Sequence, residues 1–508
     1  MSLPTARRVT PRTRLGNHMA HHIPTPREPE YWSREALIVE EKRVFEICNG
    51  CRLCWNLCPS FPKLFDAVDA LDTSPHVVDE NRPAIEVDAH GNHAAATEHL
   101  HGAAPRADIL GQAHALESVP LSVHQEVVDL CYQCKLCDPI CPYTAPHEFG
   151  VDFPRLMLRH KAIDAKEHGV KLQDRVLGDP DLVGKLGTFM PLIANAGAAV
   201  RINRIAMEMV AGIHRDRQLP TFASETFLEW FGKRHPPGPG GRAPEPEKVD
   251  GRKVVLFYTC SVQWNEPQVG RAAVEVLEHN GITVFAPSFR CCGMPALDGG
   301  DVPRATDWAR HNVAILDRYV KAGCDIVSPG PTCSYMMKHE WKDYLGTEEA
   351  EAVSKRSFDL MEYLFNLRRQ KVLKEDFNTE VGAIGYHLAC HLKVQKIGFR
   401  SRDIMKKLPG ADVTLVDKCS CMDGTWGMKT EYYELSKAGA KPLLDGLVAK
   451  KPGTLASDCL IAKLQIEENT GQKVVHPIEV MWKAYGGTET TPVAPGAAVV
   501  PPAPEEEP

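Results

Sequence analysis

The chain has 508 residues, a formal net charge of −7 and 43% hydrophobic residues. That is enough for several domains with real cores, and the acidic balance excludes the broad basic field that nucleic-acid binding needs. Seventeen cysteines, an odd number gathered in metal-ligand spacings, exclude a secreted disulfide framework and point to a reducing, cytoplasmic setting.

Residues 1–30, basic and punctuated by proline, read as a disordered arm. No apolar run follows Arg7-Arg8, so no secretory signal is expected there. Nowhere does an uninterrupted apolar run reach the ~18 residues of a membrane-spanning helix. Tyr31 to Ile47 predicts a helix leading into Cys48, Cys51, Cys54, Cys58 and Pro59. This is C-x2-C-x2-C-x3-C-P, the ferredoxin spacing for a cubane 4Fe-4S cluster. It recurs as Cys131, Cys134, Cys137, Cys141 and Pro142. Three thiolates on a tight loop wrap one cluster, and the fourth, before proline, ligates the partner cluster. The spacing assigns one cluster to Cys48, Cys51, Cys54 and Cys141, and the other to Cys131, Cys134, Cys137 and Cys58. Structural zinc needs only paired C-x2-C knuckles and would leave half of these thiols unused.

Residues 31–165 therefore read as a two-cluster ferredoxin-like domain. Its insert, 60–124, carries His76, His90, His93, His99, His101, His114 and His124. No histidine pair there shares a helical pattern with a carboxylate, so the insert is expected to be a solvated loop. Val123 to Leu130 resumes a helix, and Phe153 to Gly169 predicts the next.

Residues 166–232 read as a helical segment. Leu186 to Val200 is apolar but interrupted by Pro191. Arg201 to Ile213 places Ile202, Ile205, Met209 and Ile213 on one face. Packing of that face against the protein is the ordinary expectation, and peripheral contact with the inner face of a membrane the sharper one.

The Pro/Gly-rich stretch 233–251 is a linker. Beyond it, strand and helix patterns alternate. Lys253–Tyr258, Ile282–Phe285 and Asp325–Val327 read as strands, with helices at Asn265–Asn280 and Arg304–Ala322. The pattern restarts near Gly382, with strands Ala383–Tyr386 and Val413–Val416 and helices Asp403–Leu408 and Tyr432–Leu447. The predicted fold class is α+β and multidomain: a mainly helical ferredoxin-like domain, then two α/β domains with parallel sheets, 252–375 and a degenerate 376–487. Residues 488–508 form a low-complexity tail.

Cysteines fall at matching places in both α/β domains. The first has Cys260, Cys291, Cys292 and Cys333, and the second has Cys390, Cys419, Cys421 and Cys459. Strand ends converge on one edge of such a sheet, so each set is a candidate metal site. Cys324 has no counterpart and reads as structural. His387 and His391 flank Cys390; such histidines are usually structural, but they could hydrogen-bond a cluster sulfur or a substrate.

The pattern resembles the CCG domain of the heterodisulfide reductase B-subunit superfamily. With two ferredoxin motifs upstream, it is similar to the C subunits of anaerobic glycerol-3-phosphate dehydrogenases. The stretch Cys419-Ser-Cys-Met-Asp-Gly-Thr-Trp-Gly427 is similar to that family's CCG-x-x-GTYG. The resemblance implies an iron–sulfur electron-transfer subunit with two cubane clusters and one or two further clusters on the CCG domains. Its donor would be a flavoprotein dehydrogenase and its acceptor a quinone or another molecule. The alternative is a stand-alone heterodisulfide-reductase-like or rubrerythrin-associated peroxide-defence reductase acting at the first CCG site. Departures are Gly330 at a family cysteine position in the first domain, and Ser420 and Ala462 in the second. No G-x-G-x-x-G opens a helix after a strand and no P-loop is present, so nucleotide chemistry falls to a partner.

Overall fold

A computed structural model describes residues 21–71, 119–236, 245–422 and 424–488. The first long helix, Arg34–Cys51, starts where the Ser33 hydroxyl accepts the Ala36 N–H at 3.2 Å. It runs four residues past its expected end at Ile47, carries Cys48 and Cys51 in its last turn, and stops at left-handed Arg52 (φ 52°).

The insert is not wholly a loop. Helix Ser60–Leu71 buries Phe61, Leu64, Phe65 and Val68, a helical i, i+3, i+4, i+7 stripe, and packs across helix Leu121–Leu130. His124 lies on that second helix and is buried. It bonds Glu41 Oε2 through Nδ1 at 2.9 Å, and His160 bonds Glu41 Oε1 at 2.5 Å. Two imidazoles thus satisfy a carboxylate that would be costly to bury alone. His76, His90, His93, His99, His101 and His114 lie outside the described residues. Phe45, Phe61, Phe65, Phe153 and Met157 form the core beneath both cysteine loops.

Helix Phe153–His168 follows, then Leu172–Leu177, Pro180–Phe189, Pro191–Ala199 and Arg201–Ala211. Pro191 begins a helix rather than breaking one, since a first-turn proline lacks only an N–H that has no helical partner. Gly184 and Gly187 let helix Pro180–Phe189 press on Trp264 and Phe222; an added Cβ would lie 2.2 and 2.3 Å from those rings. The other side is bare, with Phe189 81% and Leu192 84% exposed. In helix Arg201–Ala211 and just beyond it the expected face is split: Ile213 is buried and Ile205 half-buried, as ordinary packing expects, and the other two residues are exposed. Arg204 faces inward, its guanidinium donating to the carbonyls of Arg215, His214 and Arg217 at 3.0, 2.9 and 2.5 Å. Ile202 and Met209 face out.

The second half holds two small parallel sheets. In the first, β1 (Lys253–Leu256), β2 (Thr283–Phe285), β3 (Asp325–Ser328) and β4 (Ser357–Asp359) stand in the order β2-β1-β3-β4. In the second, β5 (Ala383–His387), β6 (Asp412–Val416), β7 (Thr454–Ser457) and β8 (Val474–Val475) stand in the order β6-β5-β7-β8. Every pairing is parallel. One core of buried residues, including Val254, Leu256, Ile384 and Tyr386, runs beneath both sheets. Helix Pro267–His279 of the first packs on helix Pro477–Ala484 of the second. No helix of the described residues is long and apolar enough to cross a membrane.

Candidate functional site

The second ferredoxin-type loop begins where helix Leu121–Leu130 ends, with the Cys131 N–H donating to Val128 O at 3.1 Å. Gln133 (φ 56°) and Lys135 (φ 58°) are both left-handed, an uncommon conformation for side-chain-bearing residues. Tertiary contacts hold them there. The Gln133 amide donates to Pro154 O at 3.1 Å and Cys131 Sγ at 3.4 Å. Lys135 pairs with buried Glu340 at 3.4 Å. The alternating turns bend the chain around its cysteines.

The thiols of the two loops are interleaved. Burial pushes the Cys48 thiol far up, and the thiols of Cys141, Cys54 and Cys51 push it further. Cys58 is pushed to about 12, first by burial and next by Cys131. Cys137 is raised by burial and then by Cys134, Cys131 and Cys58. By these effects Cys141 acts on the first loop's cysteines and Cys58 on the second's, while Cys58 also acts on Cys54 of its own loop.

On the first sheet, Cys260 opens helix Cys260–Trp264 past β1, Cys291 and Cys292 follow β2, and Cys333 lies in helix Pro331–Tyr335 past β3. β1 lies between β2 and β3, so these three loops are neighbours along one edge. Left-handed Gly293 (φ 98°) turns the pair toward that edge, and a Cβ there would sit 3.2 Å from the Ala305 Cβ. The Trp341 indole donates to Cys292 O at 2.9 Å. Half-buried Asp181 takes the Cys291 N–H at 2.7 Å and the Trp264 indole N–H at 3.1 Å. Hydrogen bonding to Cys260 and Cys292 drives the Cys291 thiol well up, and Cys292 drives Cys333 up in the same way. Cys292, receiving from both, is held well down. Gly330 has a steric reason: a Cβ there would meet Thr259 Cγ2 at 2.8 Å.

On the second sheet, Cys390 Sγ lies 3.8 Å from Cys419 Sγ. Cys421 is left-handed (φ 48°) and its N–H donates to Cys419 Sγ at 3.3 Å. Tyr132, from the second ferredoxin-type loop, roofs this set. Its hydroxyl is 3.7 Å from Cys419 Sγ and 3.8 Å from Cys421 Sγ, and its ring lies 4.9 Å from that of Trp426. Sequence reasoning did not find Tyr132, Asp181 or Trp426, because each reaches its site across a tertiary contact. Burial lowers His387 and His391 to about 4, so both are neutral at pH 7. His391 joins the sites, bonding Thr332 Oγ1 at 2.8 Å and Gln133 O at 3.0 Å. Cys324 is fully buried in the core of the first sheet.

These sites fit clusters better than single ions. Among the described residues, the one group of three ligating side chains whose donor atoms all lie within 4.8 Å is Asp164, Glu167 and His168. That group is paired with Arg34 at 2.5 and 2.7 Å. No three thiols converge so closely, whereas tetrahedral zinc would draw its sulfurs to roughly 3.8 Å apart. Dry groups of thiols that raise one another's pKa call for a cationic centre to remove their protons.

A cavity of about 560 Å³ opens onto the first set. Cys260, Cys291, Cys292 and Cys333 line it, with Val183, Ala194 and Met207 of the bare helices opposite. A smaller cavity, about 30 Å³, is lined by Cys134, Cys390, Cys419 and Cys459. Pro331, Thr332, Cys459 and Ile461 wall both.

Thiol sets at the edges of parallel sheets define a cysteine-rich redox-centre protein. The CCG cysteine-rich domain family matches residues 254–338. The C subunit of anaerobic glycerol-3-phosphate dehydrogenase from Escherichia coli (strain K12) is 25% identical over 403 residues, covering 70% of this chain and 98% of that protein. Lactate utilization protein A of Geobacillus kaustophilus is 30% identical over 191 residues, covering 35% of this chain and 75% of that protein. That of Bacillus licheniformis is 27% identical over 246 residues, covering 45% and 96%. The chain belongs to the heterodisulfide-reductase-related, CCG-domain iron–sulfur proteins.

Proposed function

We propose that this chain is an electron-transfer subunit that takes electrons from a flavoprotein dehydrogenase and delivers them to a lipophilic acceptor of the quinone class. One observation carries the acceptor. The four thiols of the first CCG set face an apolar cavity whose far wall is built from helices bare of protein on their outer, apolar side. A lipid-dissolved molecule can enter from that side without crossing water, and an exposed apolar patch of this kind marks an interaction surface. The likeness to the C subunit of a dehydrogenase supports the donor.

Cys48, Cys51, Cys54 and Cys141 would hold one cubane cluster, and Cys131, Cys134, Cys137 and Cys58 the second. Cys260, Cys291, Cys292 and Cys333 would hold a third centre, and the second CCG set a fourth. When bound, iron–sulfur clusters supply one-electron transfer without acid–base chemistry. The chain's own residues do the rest. Phe45, Phe61 and Met157 exclude water beneath the ferredoxin-type loops, Asp181 fixes the Cys291 backbone, and Val183 and Met207 keep the acceptor cavity apolar.

The test uses dithionite-reduced protein mixed with vesicles containing a long-tailed quinone, and in parallel with ferricyanide. Phe189→Asp combined with Leu192→Asp should slow quinone-driven reoxidation by about tenfold or more, because charge is costly in the apolar layer. Ferricyanide reoxidation should hold steady. Equal quinone rates for the variant and the unaltered protein would refute a lipid-side acceptor.

A further inference from the structure

The second CCG set lacks two thiols that its family pattern calls for, at Ser420 and Ala462. Both positions line the small cavity beside Cys390, Cys419 and Cys459. Cys421 does not line it; its sulfur lies 3.8 Å from the Tyr132 hydroxyl and packs against Gly439, where a Cβ would stand 2.6 Å away. His387 does line it. This residue ends β5, three positions before Cys390. The first sheet has Phe257 at the corresponding place, three positions before Cys260, packed at 4.8 Å on the Phe289 ring.

The His387 ring is anchored chiefly through one nitrogen, with the Lys418 backbone also close to it. Nδ1 lies 2.9 Å from Ser457 Oγ, across the β5–β7 register. When the Ser457 hydroxyl donates to Cys459 O, 3.4 Å away, Nδ1 is the donor between ring and serine. Nε2 then carries a lone pair, and it is buried with no hydrogen-bond partner while His387 is 1% exposed. Buried polar atoms are nearly always satisfied, so such an atom beside three thiols calls for an occupant. An imidazole anchored at one nitrogen and open at the other is how proteins orient metal-ligating histidines.

We propose that His387 Nε2 is a metal ligand of the second CCG centre, making it a Cys390, Cys419, Cys459 and His387 site rather than an all-cysteine one. This rests on the reading of the second CCG set as an iron–sulfur site. Replacing a thiolate with a neutral imidazole removes negative charge from the centre and raises its potential. Cys421 becomes a neighbour of the centre, tied to Tyr132, and not a ligand.

The test takes full-length protein, purified anaerobically from cells fed ¹⁴N- or ¹⁵N-histidine. Pulsed EPR is read on the centre that disappears in Cys390→Ala. In the unaltered protein it should show the strong coupling of a directly bound histidine nitrogen. His387→Cys should keep the iron, lose that coupling and lower the centre's potential, and His387→Ala should lose about four iron atoms. A centre without histidine coupling, or one whose coupling survives His387→Cys, would overturn the ligand assignment alone. Iron content unchanged by Cys390→Ala would mean that the second set holds no centre, and would overturn the underlying reading as well.

Discussion

The two sheets have the same strand order, and both display cysteines on the loops past their first three strands in chain order. Their surroundings differ. The first set faces a cavity of about 560 Å³ walled by apolar helices. The second faces about 30 Å³ and is roofed by Tyr132, whose ring packs tilted against Trp426. The backbone plan decides where thiols gather, and what packs over them decides what can reach them. One edge is built for access and the other for enclosure.

The largest test of this contrast compares Cys292→Ala with Cys421→Ala. Loss of Cys292 should cut acceptor reduction by about 100-fold while both ferredoxin-type signals persist in EPR. Loss of Cys421 should cost less than about tenfold. The reverse ranking would place the reactive edge on the second sheet.

A smaller effect sharpens the steric difference. Gly330→Cys should destabilise the protein by about 1–3 kcal/mol in denaturant melts, because its Cβ would overlap Thr259 Cγ2. Adding Thr259→Ser, which removes that methyl, should recover most of the loss. If the double variant is no better than the single, the clash is not what keeps the first set at four thiols.

A third effect concerns the join between the sheets. Burial and the neighbouring Asp458 push Asp359, at the end of β4, up to about 8, and burial lifts Asp458 to about 6. Raised carboxyl pKa values mean that the folded state holds protons more tightly than the unfolded one. Their stabilising contribution is therefore complete below about pH 4 and is lost as pH climbs through 6 to 8, by at most about 1.4 kcal/mol per pH unit for each group. Asp359→Asn keeps the helix cap on Met361 and should flatten the fall in melting temperature between pH 6 and 8.5. An unchanged slope would assign it to other groups.

Much of this was legible in the sequence. Cysteine spacing marked both ferredoxin-type loops, and buried-strand runs such as Lys253–Leu256 marked the sheets. Ser357–Asp359 and Val474–Val475 were not, being too short for any periodicity to show. Helix Ser60–Leu71 had a readable apolar stripe, but the polar residues after it masked it. Arg201–Ala211 shows a deeper limit. Amphipathicity tells which face is apolar, not which face meets the protein, and here carbonyls left over at a turn claimed Arg204. The roof over the second set rests on contacts as distant as Tyr132 to Cys421, which no local pattern encodes.

The Trp426 indole donates to Asp129 O across 297 residues of chain. During synthesis, the second ferredoxin-type loop leaves the ribosome long before the segment that covers it exists. The contact with Trp426 forms only after the strands β5 and β6, which precede it in the chain, have been made. Chain order thus makes the cover over the second ferredoxin-type loop one of the late long-range contacts of folding.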